Sequence, residues 1–295
     1  MMNRRNAMKT IGASALGSLI LPSLTFGSTL SEIGLQIYTV RNLLDQDFEG
    51  TIKSISNLGF RRLETFAGSK GHFWGYTPGN LKNFFIDHDL KWISMHIPLK
   101  WDKVTEHAIH FASTTQNIDK LAATAADLGI KFLVCPYLAK EDRETIEQYK
   151  LIAEQLNKAG SACKSEGVEF AYHNHDFELL PINGELPLDV LMNHTDPALV
   201  KFEMDVYWVV KAGQNPVELM KKYPGRFKMA HIKDMDKTPE KSFTEVGNGS
   251  IDFKTFLKEA QTAGFQHYFV EQDKTPANPL ISIEKSFKYL NTLNF

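Results

Sequence analysis

The sequence predicts an α/β fold, a closed (β/α)8 TIM barrel that forms a single domain after an N-terminal export signal. Eight apolar, β-rich runs alternate with helix-period segments from residue 32 onwards. Several helical segments end in a glycine just before the next strand, and no glycine-rich loop follows the first strand. The alternative fold, a doubly wound open sheet, typically has such a glycine-rich loop to bind a phosphate group.

The eight runs have the length and composition of buried parallel strands. They occupy residues 33–40, 61–67, 91–98, 131–137, 169–175, 200–206, 227–233 and 267–271. Apolar residues recur at helical spacing between the runs, most clearly over Phe48–Leu58, residues 145–163 and Phe253–Ala263. The repeated joins place Gly59, Gly129, Gly167 and Gly264 at helix ends, where glycine tolerates the left-handed conformation.

Residues 1–28 are predicted to be an export signal, and residues 29–295 the barrel. Arg4, Arg5 and Lys9 precede an apolar stretch over residues 11–21, which is too short to span a bilayer as a stable helix. The paired arginines resemble a twin-arginine signal, which would export the protein after folding. We therefore expect an exported, periplasmic protein with no stable membrane span; an uncleaved anchor is the alternative.

The net charge of the chain limits the kinds of molecule that it is expected to bind. A formal net charge of −2 is unlike the basic footprint of a nucleic-acid-binding domain, so a small-molecule partner is expected. The oligomeric state stays open at this stage.

Ligand-type side chains close four successive predicted strands, and in a parallel barrel such strand ends open onto the face that carries active sites. The groups read Tyr172-His173-Asn174-His175, Glu203-Met204-Asp205, His231-Ile232-Lys233-Asp234 and Val270-Glu271-Gln272-Asp273. Imidazoles and carboxylates converging there predict a divalent metal site. A buried, salt-bridged polar network is the alternative, although its desolvation would be costly without a function.

These segments resemble the xylose isomerase-like barrels, often called sugar phosphate isomerase/epimerases, and the resemblance covers the whole mature chain. The best-marked stretches are Tyr172-His173-Asn174-His175-Asp176-Phe177-Glu178, Met204-Asp205-Val206-Tyr207-Trp208-Val209, Ala230-His231-Ile232-Lys233-Asp234 and Phe269-Val270-Glu271. That family holds its metal with Glu, Asp, His and Glu from strands five to eight. The resemblance therefore implies Asp205, His231 and Glu271 as metal ligands, with His173 standing where the family has its first glutamate.

The departure at His173 changes the expected chemistry. His173, Asp205, His231 and Glu271 together neutralise a divalent ion, whereas the family set leaves one negative charge in excess. A less negative site should be a stronger Lewis acid toward a carbonyl, and it lacks the symmetric glutamate pair of the ketose epimerases. Dehydration or β-elimination is therefore favoured over epimerisation. The mixed nitrogen and oxygen set suits Mn, Co, Fe, Ni or Zn.

Four further residues are candidates for catalysis. Glu64 and His96 end the second and third strands; Glu64 would bind hydroxyls or act as base, and His96 would donate or shuttle a proton. Either could instead anchor a neighbouring loop. His175 could be a further ligand, a hydrogen-bond partner of a ligand or a general acid. Lys233 could polarise a carbonyl or pair with a nearby carboxylate, either Asp205 or Glu203.

Substrate contacts are expected from Trp208, Phe66 and Glu203. Trp208 offers an aromatic face of the kind on which sugars stack, and a core role is its alternative. Phe66 and Glu203 lie at the ends of the second and sixth predicted strands, on the same face of the barrel.

The leading hypothesis is a metal-dependent lyase or hydratase for a keto-sugar or 3-keto-glycoside. A base, with Glu271, Glu64 or His175 as candidates, would remove the proton α to the ketone, and the metal-stabilised enediolate would then expel the β-oxygen. His96 or His175 would act as general acid. A ketose isomerase or epimerase is the alternative reaction, and a non-catalytic sugar-binding barrel the alternative class. The resemblance also implies a partner oxidoreductase that makes the keto group.

Overall fold

In the computed structural model, eight parallel strands close into a barrel in which the first strand pairs with the last. The structure describes residues 30, 32–97, 118–276 and 278–295. The predicted export signal at residues 1–28 lies outside these residues and stays a prediction. The barrel strands are β1 (Gly34–Gln36), β2 (Arg62–Thr65), β3 (Lys91–His96), β4 (Phe132–Cys135), β5 (Glu169–His173), β6 (Val200–Asp205), β7 (Phe227–Ile232) and β10 (His267–Val270). The predicted single-domain (β/α)8 barrel is confirmed.

Helices flank the barrel and follow its strands. They are α1 (Arg41–Gln46), α2 (Phe48–Leu58), α3 (Pro78–Ile86), α4 (Ile118–Leu128), α5 (Ile146–Ser165), α6 (Pro187–His194), α7 (Val206–Lys211), α8 (Pro216–Lys222), α9 (Phe253–Ala263) and α10 (Pro279–Thr292). A small antiparallel ribbon, β8 (Asp234–Met235) and β9 (Phe243–Thr244), stands beyond the end of β7. No helix in the described ranges is both long and apolar enough to cross a bilayer.

The prediction for the first strand is wrong in its second half. The apolar run at residues 33–40 was expected to be one strand, but the strand ends at Gln36 and Ile37–Val40 is a 3-10 helix. The Gln36 side chain accepts a hydrogen bond from the Tyr38 backbone N–H at 3.0 Å, so it caps a turn there. The other seven barrel strands lie within the predicted runs.

The glycine joins have the predicted conformation. The φ angles of Gly59, Gly129, Gly167 and Gly264 are 107°, 75°, 74° and 89°, all in the left-handed region. A side chain is strained there, so glycine lets each helix end sharply and the chain enter the next strand. These sharp ends set the positions of the strands, and therefore of the side chains at their carboxyl ends.

Candidate metal centre and active site

Side-chain alternation along the strands carries the ligand-type residues to the barrel mouth. On β7, Met229 lies in the apolar layer inside the barrel, and His231 two residues later faces the mouth. The same alternation brings up His173 at the end of β5 and Glu271 just after β10. The apolar layer thus forms the floor under a polar centre.

His173, Asp205, His231 and Glu271 form one buried group whose ligand atoms all lie within 4.8 Å of one another. His173 Nε2 is 3.0 Å from His231 Nδ1 and 3.4 Å from Asp205 Oδ2. His231 Nδ1 is also 2.9 Å from Glu271 Oε2. Two imidazole nitrogens that face each other at 3.0 Å can hold at most one proton between them. As ligands of one cation, both nitrogens would present lone pairs instead.

Lys233 sits beside this group and pairs with three carboxylates. Its Nζ is 2.7 Å from Asp205 Oδ2, 2.5 Å from Glu271 Oε2 and 2.8 Å from Asp273 Oδ2. Three carboxylates against one ammonium leave two negative charges in a buried site. Such a charge is costly without a counter-ion, and a divalent cation would neutralise it. The four donors therefore fit a divalent metal. Asp273 would still pair with Lys233 when Asp205 and Glu271 bind that metal.

A second buried cluster lies beside the ligand group, on the opposite edge of the His231 ring. His231 Nε2 is 2.6 Å from Glu64 Oε1 and 3.3 Å from Glu203 Oε2. His96 Nε2 is 3.1 Å from both carboxylates. A metal-ligating histidine commonly donates its other N–H to a carboxylate, which fixes its tautomer and orientation. Glu64 is placed to accept this N–H, which would leave the Nδ1 lone pair to a metal. Burial opposes protonation of His231, yet the charges of Glu203, Glu271 and Glu64 outweigh it and hold its pKa well above the ordinary value, so a metal would displace a proton from Nδ1.

Glu64 has no exposed surface through which a substrate could reach it in this arrangement. It is fully buried, and Gln36 Nε2 donates to its Oε1 at 2.9 Å while the Ser94 hydroxyl donates to its Oε2. Glu203, predicted to bind substrate, is also fully buried, and its Oε1 accepts no hydrogen bond. The structure thus places Glu64, His96 and Glu203 together, deep beside the ligand group.

The pKa values of this cluster follow from burial and mutual charge. For Glu64, burial alone would raise the pKa, but the charges and hydrogen bonds of His96 and His231 hold it well below its usual range. For His96, burial opposes protonation, yet Glu64 and Glu203 outweigh it and raise the pKa to about 9. Burial and the Glu64 charge raise the pKa of Glu203.

His175 behaves differently from the other imidazoles. Burial and the nearby charges of His173 and Lys233 hold its pKa well below the ordinary value. Its ring is 4.9 Å from the His173 ring, and its Nδ1 has no hydrogen-bond partner. It is therefore neutral at neutral pH and adjacent to the ligand group, as a proton carrier must be.

Aromatic side chains form one wall of the mouth. The His175 ring stacks on Phe177 at 5.3 Å and lies 5.4 Å from the Trp208 ring. Trp208 Nε1 is buried without a hydrogen-bond partner. Phe66, also predicted to bind substrate, packs edge-on between Tyr38 and Trp74, on the β1–β2 side of the mouth.

Two carboxylates of this region were not predicted as site residues. Asp273 lies two residues after Glu271, a spacing that could have indicated a shared direction. Glu178 is fully buried, takes a hydrogen bond from the Tyr172 hydroxyl and accepts one from the His175 backbone N–H at 2.8 Å. Burial raises the pKa of Glu178 to about 7, although both hydrogen bonds oppose the rise.

Comparison with known proteins agrees with this geometry. The family model for xylose isomerase-like TIM barrels matches residues 52–293, and the chain belongs to that family. An inosose dehydratase of Clostridium perfringens is 32% identical over 163 residues, which are 49% of this chain; the match spans about half of the relative's own length, 54%. An inosose dehydratase of Lacticaseibacillus casei is 28% identical over 84% of this chain and 90% of that protein.

A solved structure shows a similar architecture along nearly all of the chain. A sugar phosphate isomerase/epimerase from Parabacteroides distasonis aligns with a TM-score of 0.73 and 29% identity, covering 91% of this chain and 95% of that one. By their names, these relatives act in sugar chemistry, and the solved structure has a similar barrel.

Proposed function

We propose that this protein is a metal-dependent lyase or hydratase that acts on a keto-sugar or 3-keto-glycoside. The observation that carries the proposal is the buried ligand group of two imidazoles and two carboxylates beside a neutral, unpaired His175. The dehydratase names of the matched relatives support elimination. His173, Asp205, His231 and Glu271 would hold the cation, which when bound supplies Lewis-acid stabilisation of negative charge on a ketone oxygen.

The chain's own residues supply the proton transfers. We assign the base to His175, because Glu64 is fully buried and Glu271 is held by Lys233 and His231. The His175 imidazole takes the proton α to the ketone, the electron pair moves into the carbon–carbon bond, and the β carbon–oxygen bond breaks. The same imidazolium then returns its proton to the departing oxygen. Trp208, whose ring lies 5.4 Å from that of His175, bounds the sugar on one side.

The decisive assay follows both fates of the substrate. The protein is loaded with Mn or Co or stripped with a chelator, and incubated in deuterated water with a 3-keto-glucoside that carries a chromogenic aglycone. Metal-dependent release of the aglycone with an unsaturated or hydrated keto-sugar is expected by NMR. Deuterium entering the α carbon without release would instead indicate an isomerase or epimerase, the activity that the Parabacteroides neighbour's name supports.

A histidine pair tests the role of His175. His175→Gln should lower kcat by about 10²- to 10⁴-fold, the usual contribution of a positioned acid–base group, while the bound metal is retained. His194→Gln is the matched control, because His194 is exposed at the end of α6. Full activity in His175→Gln would assign the proton transfers to another residue.

Export to the periplasm and a partner oxidoreductase belong to the same proposal. Glycosides are met outside the cytoplasm, and a 3-keto substrate must be made by an enzyme that oxidises a sugar hydroxyl. Cell fractionation with an antibody against the protein tests the location: recovery with the cytoplasmic fraction alone would contradict export.

A further inference from the structure

A cavity of about 350 Å³ opens at the barrel mouth beside the candidate metal centre. It lies between α7, β9 and the segment that follows β10, and its size is within the range of small-molecule sites. The rings of Tyr207 and Phe243, 4.5 Å apart, line one side of it. None of the predicted catalytic or metal-binding residues lines this cavity.

One layer of side chains separates the cavity from the metal centre. The Phe243 ring is 5.8 Å from the Trp208 ring and 5.7 Å from Lys233 Nζ, which pairs with the ligands Asp205 and Glu271. A substrate whose ketone lies at the ligand group would have to extend over the rings of Trp208 and Phe243 to place its remaining part in the cavity.

The charges at the cavity favour an anion. Lys211 and Lys274 line it with one carboxylate, Glu240, so one positive charge is in excess. Lys211 Nζ donates to the Tyr207 hydroxyl at 2.8 Å and lies 5.3 Å from the Trp208 ring centre. Within the described ranges, neither lysine forms an ion pair with a carboxylate. Two ammonium groups against one carboxylate, with Lys211 beside the Tyr207 and Trp208 rings, suit a ring that bears a carboxylate.

We propose that this cavity is a leaving-group subsite for a ring that carries a carboxylate. The assignment rests on the proposed elimination, because the group held there is the one that departs. The ring packs on Tyr207 and Phe243, and the carboxylate meets Lys211 and Lys274. Glu240 at the same cavity weakens the attraction.

Binding of the isolated leaving group tests the subsite without catalysis. The probes are 4-hydroxybenzoate and phenol, titrated by calorimetry into protein stripped of metal, so that the carboxylate cannot bind a cation. We expect 4-hydroxybenzoate to bind more tightly than phenol, and the Lys211→Met/Lys274→Met variant to weaken it about tenfold. Glu240→Gln should tighten it. Lys258→Met, at an exposed lysine on α9, is the matched control. Equal binding of the two probes, or unchanged binding in the double variant, would overturn the subsite.

Turnover separates this inference from the proposed function. The ratio of kcat/KM for 3-keto-glucosides of 4-hydroxybenzoate and of phenol should fall about tenfold in the double lysine variant. Turnover with an unchanged ratio would overturn the subsite and leave the elimination standing. A binding preference that the lysines control, without turnover of either glycoside, would support the carboxylate site and contradict the proposed elimination.

Discussion

Asp205 joins the barrel to its candidate metal through its two carboxylate oxygens. Its Oδ1 accepts the Trp208 backbone N–H at 3.2 Å and caps α7, while its Oδ2 faces His173 and Lys233. Asn174 Oδ1 holds the Asp205 backbone N–H at 3.2 Å. The ligand atom is therefore fixed by the same contacts that begin α7, and the Trp208 ring is positioned with it.

Because one oxygen of Asp205 caps α7 and the other faces the candidate metal, Asp205→Asn separates the two roles. Asparagine keeps the capping oxygen but removes the charge, so α7 should remain while metal affinity falls about tenfold or more. Bound metal measured by elemental analysis after dialysis should drop, with an unchanged circular dichroism spectrum. Asp87→Asn, at an exposed carboxylate after α3, is the control. Full metal content in Asp205→Asn would exclude Asp205 as a ligand.

The identity of residue 173 should decide the reaction. His173→Glu restores the family residue and adds one negative charge to the ligand group, which should keep the metal but weaken its Lewis acidity. We expect aglycone release from a 3-keto-glucoside to slow by about tenfold or more, with α-carbon exchange retained. NMR in deuterated water measures both. Kinetics identical to those of the unchanged protein would refute the argument from site charge.

The convergence of the four candidate ligands could be predicted because it needs only strand ends and side-chain alternation. The contact between Glu64 and His231 could not, because it crosses the barrel interior between residues 167 positions apart. It depends on the tilt and register of the closed barrel, which no local pattern carries. Gln36 and Ser94 stand opposite Glu64 on the adjacent strands β1 and β3, and they gave no signal because the register between strands is not written in either strand alone.

Among the secondary-structure elements, apolar composition predicted where the strands lie but not where the first strand ends. The run at residues 33–40 reads as one strand because its β-rich composition continues past Gln36. The side chain of Gln36 instead accepts from the Tyr38 backbone, and the chain turns into a 3-10 helix. Helix ends were more predictable, because a glycine with positive φ is a requirement of the backbone itself.

A glycine pair tests that requirement without any packing effect. A Cβ at Gly129 or Gly79 meets no atom within 4 Å, but only Gly129 has positive φ, at 75°. Gly129→Ala should therefore lower the free energy of unfolding by about 1 kcal/mol. Gly79→Ala, in the first turn of α3, should leave it unchanged or raise it by a few tenths of a kcal/mol. Urea unfolding measures both; equal effects would contradict the conformational argument.

For the whole molecule, folding also removes two histidines outside the ligand group from water, wholly or in part. His72 is 1% exposed with no hydrogen bond to either ring nitrogen, and burial lowers its pKa to about 4. His267, at the start of β10, has its pKa lowered to about 4 by burial and the charge of Arg62. Folding therefore holds two imidazoles neutral that the unfolded chain would protonate below pH 6.5.

His72 and the half-buried His267 each contribute a loss of stability in mild acid, and Glu178 opposes it because its pKa is raised to about 7 in the folded chain. Between pH 6.5 and 4 the two histidines bind protons in the unfolded chain that they do not bind in the folded chain, so their contribution to the free energy of unfolding falls as the pH falls. The stabilisation is fully present above pH 6.5. For His72 this costs about 2 kcal/mol between pH 7.5 and 5, since the slope approaches 1.4 kcal/mol per pH unit. The half-buried His267 contributes less, because solvent screens its ring.

The variant His72→Phe isolates one of the two histidines, because phenylalanine fills the site without titrating. The difference in the free energy of unfolding between this variant and the unchanged protein should widen by about 2 kcal/mol from pH 7.5 to pH 5. At pH 7.5 the variant should be at least as stable, since an unpaired buried polar ring is removed. Urea unfolding at both pH values measures this, with His194→Phe as the exposed control. A difference that does not change with pH would mean that His72 is protonated in the folded barrel.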